Sequence, residues 1–375
     1  MDLSIILTYR CNSQCSMCNI WKYPSVAEEE ISLETLDKLP NNFGIINLTG
    51  GEPTLRKDLG EIVDLLYPKT RKLEISSNGL LPDRLEPIIR KYPDIKIRFS
   101  LEGADKTNNA IRGENDGYEK KVNGLARLKE LGGKDLGFAT VIQDDNVTEL
   151  VDLFRFTEKN GFELSTSTLH NGFQFHKNDN NPYDRLSIAH SIESLIIEQL
   201  KSRHIKNWFR AYVNLGLEAK VLGSKRLLPC RHGYESVFLD PWGKVYACNV
   251  RPDLYMGDLE VQTWSEIITG EKALRALSEV NKCQQNCWMA GVAKGAMRNH
   301  YFTRLPRIKP LAWVVSNKIR LLLKKNINFQ KYVTYPTIRS GTSTKRLSYL
   351  NVTLKRTAQK KCEQHYSQTG GFFNQ

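Results

Sequence analysis

The chain has 375 residues and a mass of 43.0 kDa, enough for one large domain or two to three ordinary ones. Its 40% hydrophobic, 9% aromatic and 25% charged residues are ordinary globular usage, which excludes a disordered or fibrous protein over most of its length. No run of about 18 uncharged apolar residues occurs, which excludes a bilayer-spanning helix, and the acid at position 2 is out of place in a secretory leader, so the expected location is the cytoplasm.

Strand-like runs rich in β-branched residues fall at 3–9, 45–49, 72–76, 95–100, 136–142 and 162–168. Periodic, helix-like stretches lie between and after them, at 33–39, 59–67, 84–92, 118–131 and 147–159. Ser32, Asp58 and Asn146 are the expected caps, and Asn160-Gly161 the expected stop. Strand and helix alternating six times imply a parallel sheet with right-handed crossovers. Six units are too few for a closed eight-fold barrel, so the expected fold is α/β, a partial (β/α)6 barrel with its site at the C-terminal ends of the strands. Residues 184–222 read as one or two more helices. From about 229 the texture changes to short segments and turns, such as Asp240-Pro241-Trp242-Gly243. The expected domains are the barrel, 1–225, a small cysteine-rich domain, 226–300, and a basic C-terminal extension, 301–375.

Charge follows the same division. The net charge is +13, yet residues 301–375 hold 15 Lys and Arg against one acid, Glu363, while residues 1–300 hold 39 basic and 40 acidic residues. The basic character belongs to the extension and not to the body.

Of the eight cysteines, Cys11, Cys15 and Cys18 form C-x3-C-x2-C directly after the first strand, in the loop where this fold places its site. Clustered cysteines in a cytosolic chain favour metal over disulfides. Three thiolates hold three corners of a [4Fe–4S] cube and leave one iron for a non-protein ligand. The competing reading is a zinc knuckle, but zinc takes four protein ligands and no nearby His or Cys completes this set.

The spacing, its place after strand one, and Met17 before the third cysteine resemble the radical S-adenosylmethionine superfamily. Gly50-Gly51-Glu52-Pro53 after strand two matches that family's GGEP motif. The resemblance implies that S-adenosylmethionine chelates the open iron and is cleaved reductively to a 5′-deoxyadenosyl radical that takes hydrogen from substrate. It assigns Met17 to the adenine and Gly50, Gly51, Glu52 and Pro53 to the methionyl amine. It further implies cofactor contacts from Ser77 and Asn78 after strand three, Ser100 and Glu102 after strand four, Arg112 facing the carboxylate, and Val141 on strand five beside the adenine. A reducing donor such as flavodoxin or ferredoxin is the implied partner.

Cys230, Cys248, Cys283 and Cys287 form a second set, with Gly243-x4-Cys248 and a closing C-x3-C. This resembles the SPASM extension or its one-cluster form, twitch, and implies an auxiliary [4Fe–4S] cluster. A four-cysteine zinc site is the alternative. Four thiolates would close the cluster to substrate but leave it able to accept an electron. The expected function is therefore a radical oxidoreductase acting on a polar biosynthetic substrate: a saccharide, an aminocyclitol or a peptide side chain. Epimerisation or crosslinking of a peptide, RNA modification, and a non-catalytic iron–sulfur or zinc protein are the alternatives. His170, His176 and Asp144, after strands five and six, are the candidate acid–base groups. Residues 311–325, apolar and basic with Trp313, are expected either at a membrane surface, on the inner face, or packed on the barrel. Nucleic acid is not an expected partner, since no RNA-binding motif accompanies the basic residues.

Overall fold

A computed structural model of the chain describes residues 1–289 and 309–335 and, between them, 291, 293 and 297. The chain divides into two compact units, Met1–Thr334 and Tyr335–Gln375, and all but the first residue of the second lies outside the described residues, Cys362 included.

Among the described residues nine strands form one sheet: β1 (Asp2–Ile6), β2 (Ile46–Thr49), β3 (Leu73–Ser77), β4 (Lys96–Ser100), β5 (Asp135–Ile142), β6 (Glu163–Thr168), β7 (Ser236–Leu239), β8 (Lys244–Tyr246) and β9 (Tyr255–Asp258). Their order is β6-β5-β4-β3-β2-β1-β7-β8-β9. The first six pair in parallel, each with its sequence neighbour, as right-handed crossovers require. This is the open six-unit barrel expected from the alternation. Leu3, Ile5, Ile46, Leu48, Ile75, Ile97, Phe99 and Phe138 alternate along the strands as its buried layer. Each such side chain contributes about 1.5–3 kcal/mol by leaving water.

The sheet does not stop at the expected boundary near residue 225. β7 pairs in parallel with β1, Asp2 opposite Ser236, and only then does the sheet turn antiparallel through β8 and β9. The β7–β8 turn is the expected Asp240-Pro241-Trp242-Gly243: Asp240 Oδ1 accepts from Trp242 N (3.0 Å) and Lys244 N (2.9 Å), and Gly243 takes φ +77°.

The helices between the strands are α1 (Leu33–Asp37), α2 (Leu59–Leu66), α3 (Glu86–Lys91), α4 (Asp105–Arg112), α5 (Gly117–Glu130) and α6 (Leu150–Lys159). They are followed by α7 (Arg185–Lys201), α8 (Ile205–Val221), α9 (Trp264–Thr269), α10 (Glu271–Lys282) and α11 (Lys309–Leu322). Three details depart from the sequence reading. The helix expected over 84–92 begins as a 3-10 turn, Pro82–Leu85, before α3, in a stretch with prolines at 82 and 87. α4 carries no apolar stripe, and its Asp-Lys-Thr-Asn-Asn start hides it from periodicity; Gly113, at φ +64°, ends it. Asn146 is not a cap. α6 starts at Leu150, and the Asn146 side chain instead donates to Glu102 O and Val141 O and accepts from Gln143 N, all at 2.9 Å.

α11 packs on the outer helices. Trp313 is buried edge-on against Tyr212 of α8, and Lys318 donates to Leu200 O (2.8 Å) at the end of α7.

Candidate active site and metal centres

The first cysteine loop leaves β1 and is held from three sides. Cys11 and Cys18 pack on Ile6, Tyr9 and Ile20, and Cys15 is buried. From α4 and the turn after it, the Arg112 and Ile111 carbonyls accept from Gln14 N (3.0 Å) and Ser16 N (2.9 Å), and Glu114 accepts from Ser13 Oγ (2.6 Å). At the strand exit, buried Glu30 accepts from Thr8, from Ser25 Oγ (2.6 Å) and from Arg10 Nη2 (2.7 Å). Burial pushes the Cys11 thiol up to about 12 and the Cys18 thiol up to about 11. These are thiols that give up their proton when metal binds.

The Gly50-Gly51 pair explains itself sterically. A Cβ at Gly50 would sit 2.4 Å from Thr8 O, and one at Gly51 2.3 Å from Arg10 O. Without side chains the β2 exit lies flat on the cysteine loop, with Gly51 N donating to Thr8 O (2.7 Å) and Glu52 N to Arg10 O (2.8 Å). Glu52 is fully buried, and both of its oxygens are occupied within the chain. Oε1 accepts from Thr54 N (3.0 Å), Thr54 Oγ1 (2.7 Å) and Ser77 Oγ (2.9 Å); Oε2 accepts from Asn78 N (2.6 Å). Glu52 thus ties the exits of β2 and β3 together and sets the backbone around the loop, with Pro53 opening the short turn Pro53–Leu55. Asn78 Nδ2 reaches the cysteine loop itself, donating to Asn12 Oδ1 (2.6 Å).

Glu102 has the same role two strands further along, joining the exits of β4 and β5. Oε1 accepts from Arg112 Nε (3.1 Å) and Nη2 (2.7 Å), and Oε2 from Thr140 Oγ1 (3.2 Å) and Val141 N (2.7 Å). Arg112 also points Nη1 at Cys15 Sγ, 3.4 Å away. Ser100 ends β4 half-buried, opposite Ala139. The sequence-derived residues of the β1 to β5 exits are therefore brought together, joined by their own hydrogen bonds. Met17 follows in the loop, its carbonyl accepting from Asn180 Nδ2 (3.0 Å). Sequence reasoning missed the supports beneath: Ser13, and Lys121 of α5, completely buried and paired to Glu114.

The second set of cysteines comes from three places. Cys230 follows α8, Cys248 follows β8, and Cys283 and Cys287 follow α10. They line one pocket with His232, Arg226 and Arg251. Among the described residues no three His, Cys, Asp or Glu side chains converge as a single ion requires; these thiols ring a space instead. His232 is buried and stacked on Phe238, rings 5.3 Å apart and 7° from parallel. Neither of its ring nitrogens meets a partner at hydrogen-bond geometry, although the Ala247 carbonyl lies near. A buried donor left unpaired costs about 1–3 kcal/mol. A cavity lined by four thiols and an unpaired imidazole fits a sulfide-bearing cluster, which supplies acceptors. Trp288 positions the last cysteine. It lies over Gly216 of α8, where a Cβ would come within 2.0 Å of the indole, and its Nε1 donates to Val213 O (2.7 Å).

The segment after β6 touches both centres. Phe175 O accepts from Asn19 N (2.9 Å), beside the first cysteine loop, while Phe173 packs on Tyr246 just before Cys248. Of the three acid–base candidates, Asp144 holds backbone, accepting from Tyr183 N (3.2 Å) and Asp184 N (2.8 Å). His176 is exposed and sits against the rings of Tyr9 and Tyr23. His170 faces inward. Its Nδ1 lies 3.3 Å from Thr168 O, its Nε2 is buried and unpaired, and burial with Lys220 nearby lowers it to about 4. Lys220, which the sequence did not suggest, donates to Leu169 O (2.8 Å) and Thr168 Oγ1 (3.0 Å), and burial lowers it to about 8. Three more buried amide atoms lack partners: Gln143 Nε2 after β5, Gln174 Nε2 after β6 and Asn249 Oδ1 after β8.

This arrangement defines a class. The radical SAM superfamily model matches residues 5–157 and the SPASM iron–sulfur cluster-binding domain residues 230–288, spans that contain the first three and the next four cysteines. The chain belongs to the radical SAM superfamily and carries a SPASM domain; it is an enzyme of that class, with a [4Fe–4S] cluster, an auxiliary iron–sulfur centre and S-adenosylmethionine as cofactors. It is 32% identical over 162 residues to an Fe-coproporphyrin III synthase of Methanosarcina barkeri, a match covering 41% of this chain and 40% of that protein's length. It is 27% identical over 299 residues to a probable GTP 3′,8-cyclase of Sulfurisphaera tokodaii, covering 74% of this chain and 88% of that one. The structure of native anSMEcpe with bound AdoMet and Cp18Cys peptide superposes with a TM-score of 0.57 at 15% identity, covering 86% of this chain and 99% of that one, a likeness of fold.

Proposed function

We propose that the chain is a radical oxidoreductase that takes hydrogen from a polar substrate, a saccharide, an aminocyclitol or a peptide side chain, held between its two cysteine sites. With iron and S-adenosylmethionine bound at Cys11, Cys15 and Cys18, the first centre supplies a 5′-deoxyadenosyl radical. The observation that carries the reading is the stretch 169–175. It reaches both centres and, with the neighbouring exits, presents Gln143, His170, Gln174 and Asn249 with unpaired polar atoms. Those atoms find partners on a hydroxyl- or amide-rich molecule and none on an apolar one. His170 and Lys220 both approach the Thr168 carbonyl, at 3.3 and 3.5 Å; burial lowers Lys220 to about 8, close enough to neutrality for its amine to take a proton, while His170, lowered to about 4, stays neutral and serves as a hydrogen-bonding group. The auxiliary cluster that Cys230, Cys248, Cys283 and Cys287 would hold would supply an acceptor for the second electron, for a net two-electron oxidation.

The functional division into a barrel, 1–225, an auxiliary domain, 226–300, and an extension, 301–375, is part of this proposal. The test is anaerobic reconstitution followed by incubation with deuterated saccharides, aminocyclitols and peptides. About eight irons per chain and transfer of deuterium into 5′-deoxyadenosine from one of these classes are expected. About four irons, or release of 5′-deoxyadenosine without deuterium from any of them, would reject it.

A further inference from the structure

Helix α11 has two apolar faces and uses one. Pro310, Trp313, Val314 and Asn317 are buried toward the body, and Lys318 lies 3.8 Å above the Trp208 ring. At about 100° per residue, Leu311, Val315, Ile319, Leu322 and Leu323 fall on the opposite side as one continuous band. All five are exposed, from 38% at Leu311 to 76% at Leu322. Lys309 and Arg320 border the band, and Lys324 and Lys325 follow its end, all exposed. Residues 309–335 hold six Lys and Arg and no Asp or Glu.

A contiguous band of five large apolar side chains marks a surface that something covers. Charge narrows the choice. Residues 336–375 carry seven Lys and Arg against one acid, so folding them over this cationic helix brings like charges together. A second copy of the chain would bring the same cations to face their equivalents. An anionic lipid surface satisfies both features at once, phosphates taking the lysines and the acyl boundary taking the band.

We propose that α11 is a membrane-surface helix, its Leu311–Val315–Ile319–Leu322–Leu323 band immersed at the headgroup–acyl boundary of an anionic bilayer and its flanking Lys and Arg on the lipid phosphates. No described helix is long and apolar enough to cross a membrane, so the association is peripheral. The inference stands on α11 alone and is independent of the reaction proposed above.

The test is flotation of the full-length, anaerobically purified holoprotein with vesicles of phosphatidylcholine alone and with about one third phosphatidylglycerol. Binding to the anionic vesicles, weakened by high salt, is expected, with little to the neutral ones. Ile319→Glu combined with Leu322→Glu replaces only exposed side chains and should weaken partition at least about tenfold. Lys324→Ala combined with Lys325→Ala should cost about five-fold per lysine and flatten the salt dependence. Three results overturn the proposal: no flotation with anionic vesicles, flotation unchanged by both variant pairs, or sedimentation velocity showing a dimer that the Glu pair dissociates. RNA that binds the wild type and loses its grip only with the lysine pair, in protein that ignores vesicles, overturns it in favour of a nucleic-acid partner.

Discussion

The two cysteine sites are built on opposite principles. Around Cys11, Cys15 and Cys18 nearly every buried polar group is paired, with Glu30, Glu52, Glu102 and Glu114 each holding protein donors, three of them charge-paired, to Arg10, Arg112 and Lys121. Three ligands on one eight-residue stretch need only a rigid loop, and the carboxylates below supply it. Cys230, Cys248, Cys283 and Cys287 come from separate segments and depend on packing to meet. The anchor there is Trp288 on Gly216, and polar atoms of His232 and Asn249 are left open. A hydrogen-bonded frame preorganises its site, whereas a packed frame leaves capacity for what binds.

Removing thiols separates the centres most completely. Cys11→Ala, Cys15→Ala and Cys18→Ala together should abolish 5′-deoxyadenosine formation while leaving about four irons per chain. Cys230→Ala with Cys287→Ala should leave the same iron number with reductive cleavage of the cofactor retained. Iron quantitation with turnover assays reads both, and loss of all iron from either set would show that the frames are one structure and not two.

The next largest effect is expected at Trp288. It is 1% exposed, so Trp288→Ala should destabilise the fold by about 3–5 kcal/mol in urea unfolding. The auxiliary iron should be lost first, with the iron at the N-terminal loop retained. If iron at both sites falls in parallel, packing at Gly216 supports the whole sheet rather than the second centre.

The same contrast explains what the sequence disclosed. Cys11, Cys15, Cys18 and Gly50-Gly51-Glu52-Pro53 were legible because each is a contiguous motif whose meaning lies in spacing, and the first six strands because β-branched runs mark them. Lys121, Lys220 and His232 were not, since nothing local distinguishes a lysine that will be buried, or an imidazole two residues after a cysteine, until the tertiary fold surrounds it. α4 lacked the apolar period that betrays a helix, and Asn146 looked like a cap because a cap and a loop clamp use the same side chain. The partners of Glu52 and Glu102 were equally hidden: the motif names the carboxylate, and only the fold supplies the donors from neighbouring strand exits. The continuation of the sheet through β7 was hidden for another reason. Its four residues sit in a cysteine-rich stretch, and nothing in them names β1 as a partner.

Acid and base should act on two buried carboxyls, Glu30 and Asp240, with opposite sign. Burial raises Glu30, but hydrogen bonds from Arg10, Ser25 and Thr8 outweigh it and hold its carboxyl below the usual range. The folded state therefore releases that proton more readily than the unfolded chain, and the stability it contributes is present above the ordinary value of 4.5 and lost as pH falls. Asp240, in the β7–β8 turn that packs against Tyr9, accepts from two backbone donors and from Tyr246, yet burial outweighs them and pushes it up to about 6 from 3.8. Its contribution is full below 3.8 and is lost as pH rises through about 6, a swing of up to about 3 kcal/mol. Urea unfolding of the holoprotein across this range should show Asp240→Asn removing a loss of stability on going toward neutrality, and Glu30→Gln removing a loss on going toward acid. Slopes of the same sign in the two variants would mean that the hydrogen bonds at Glu30 do not outweigh its burial.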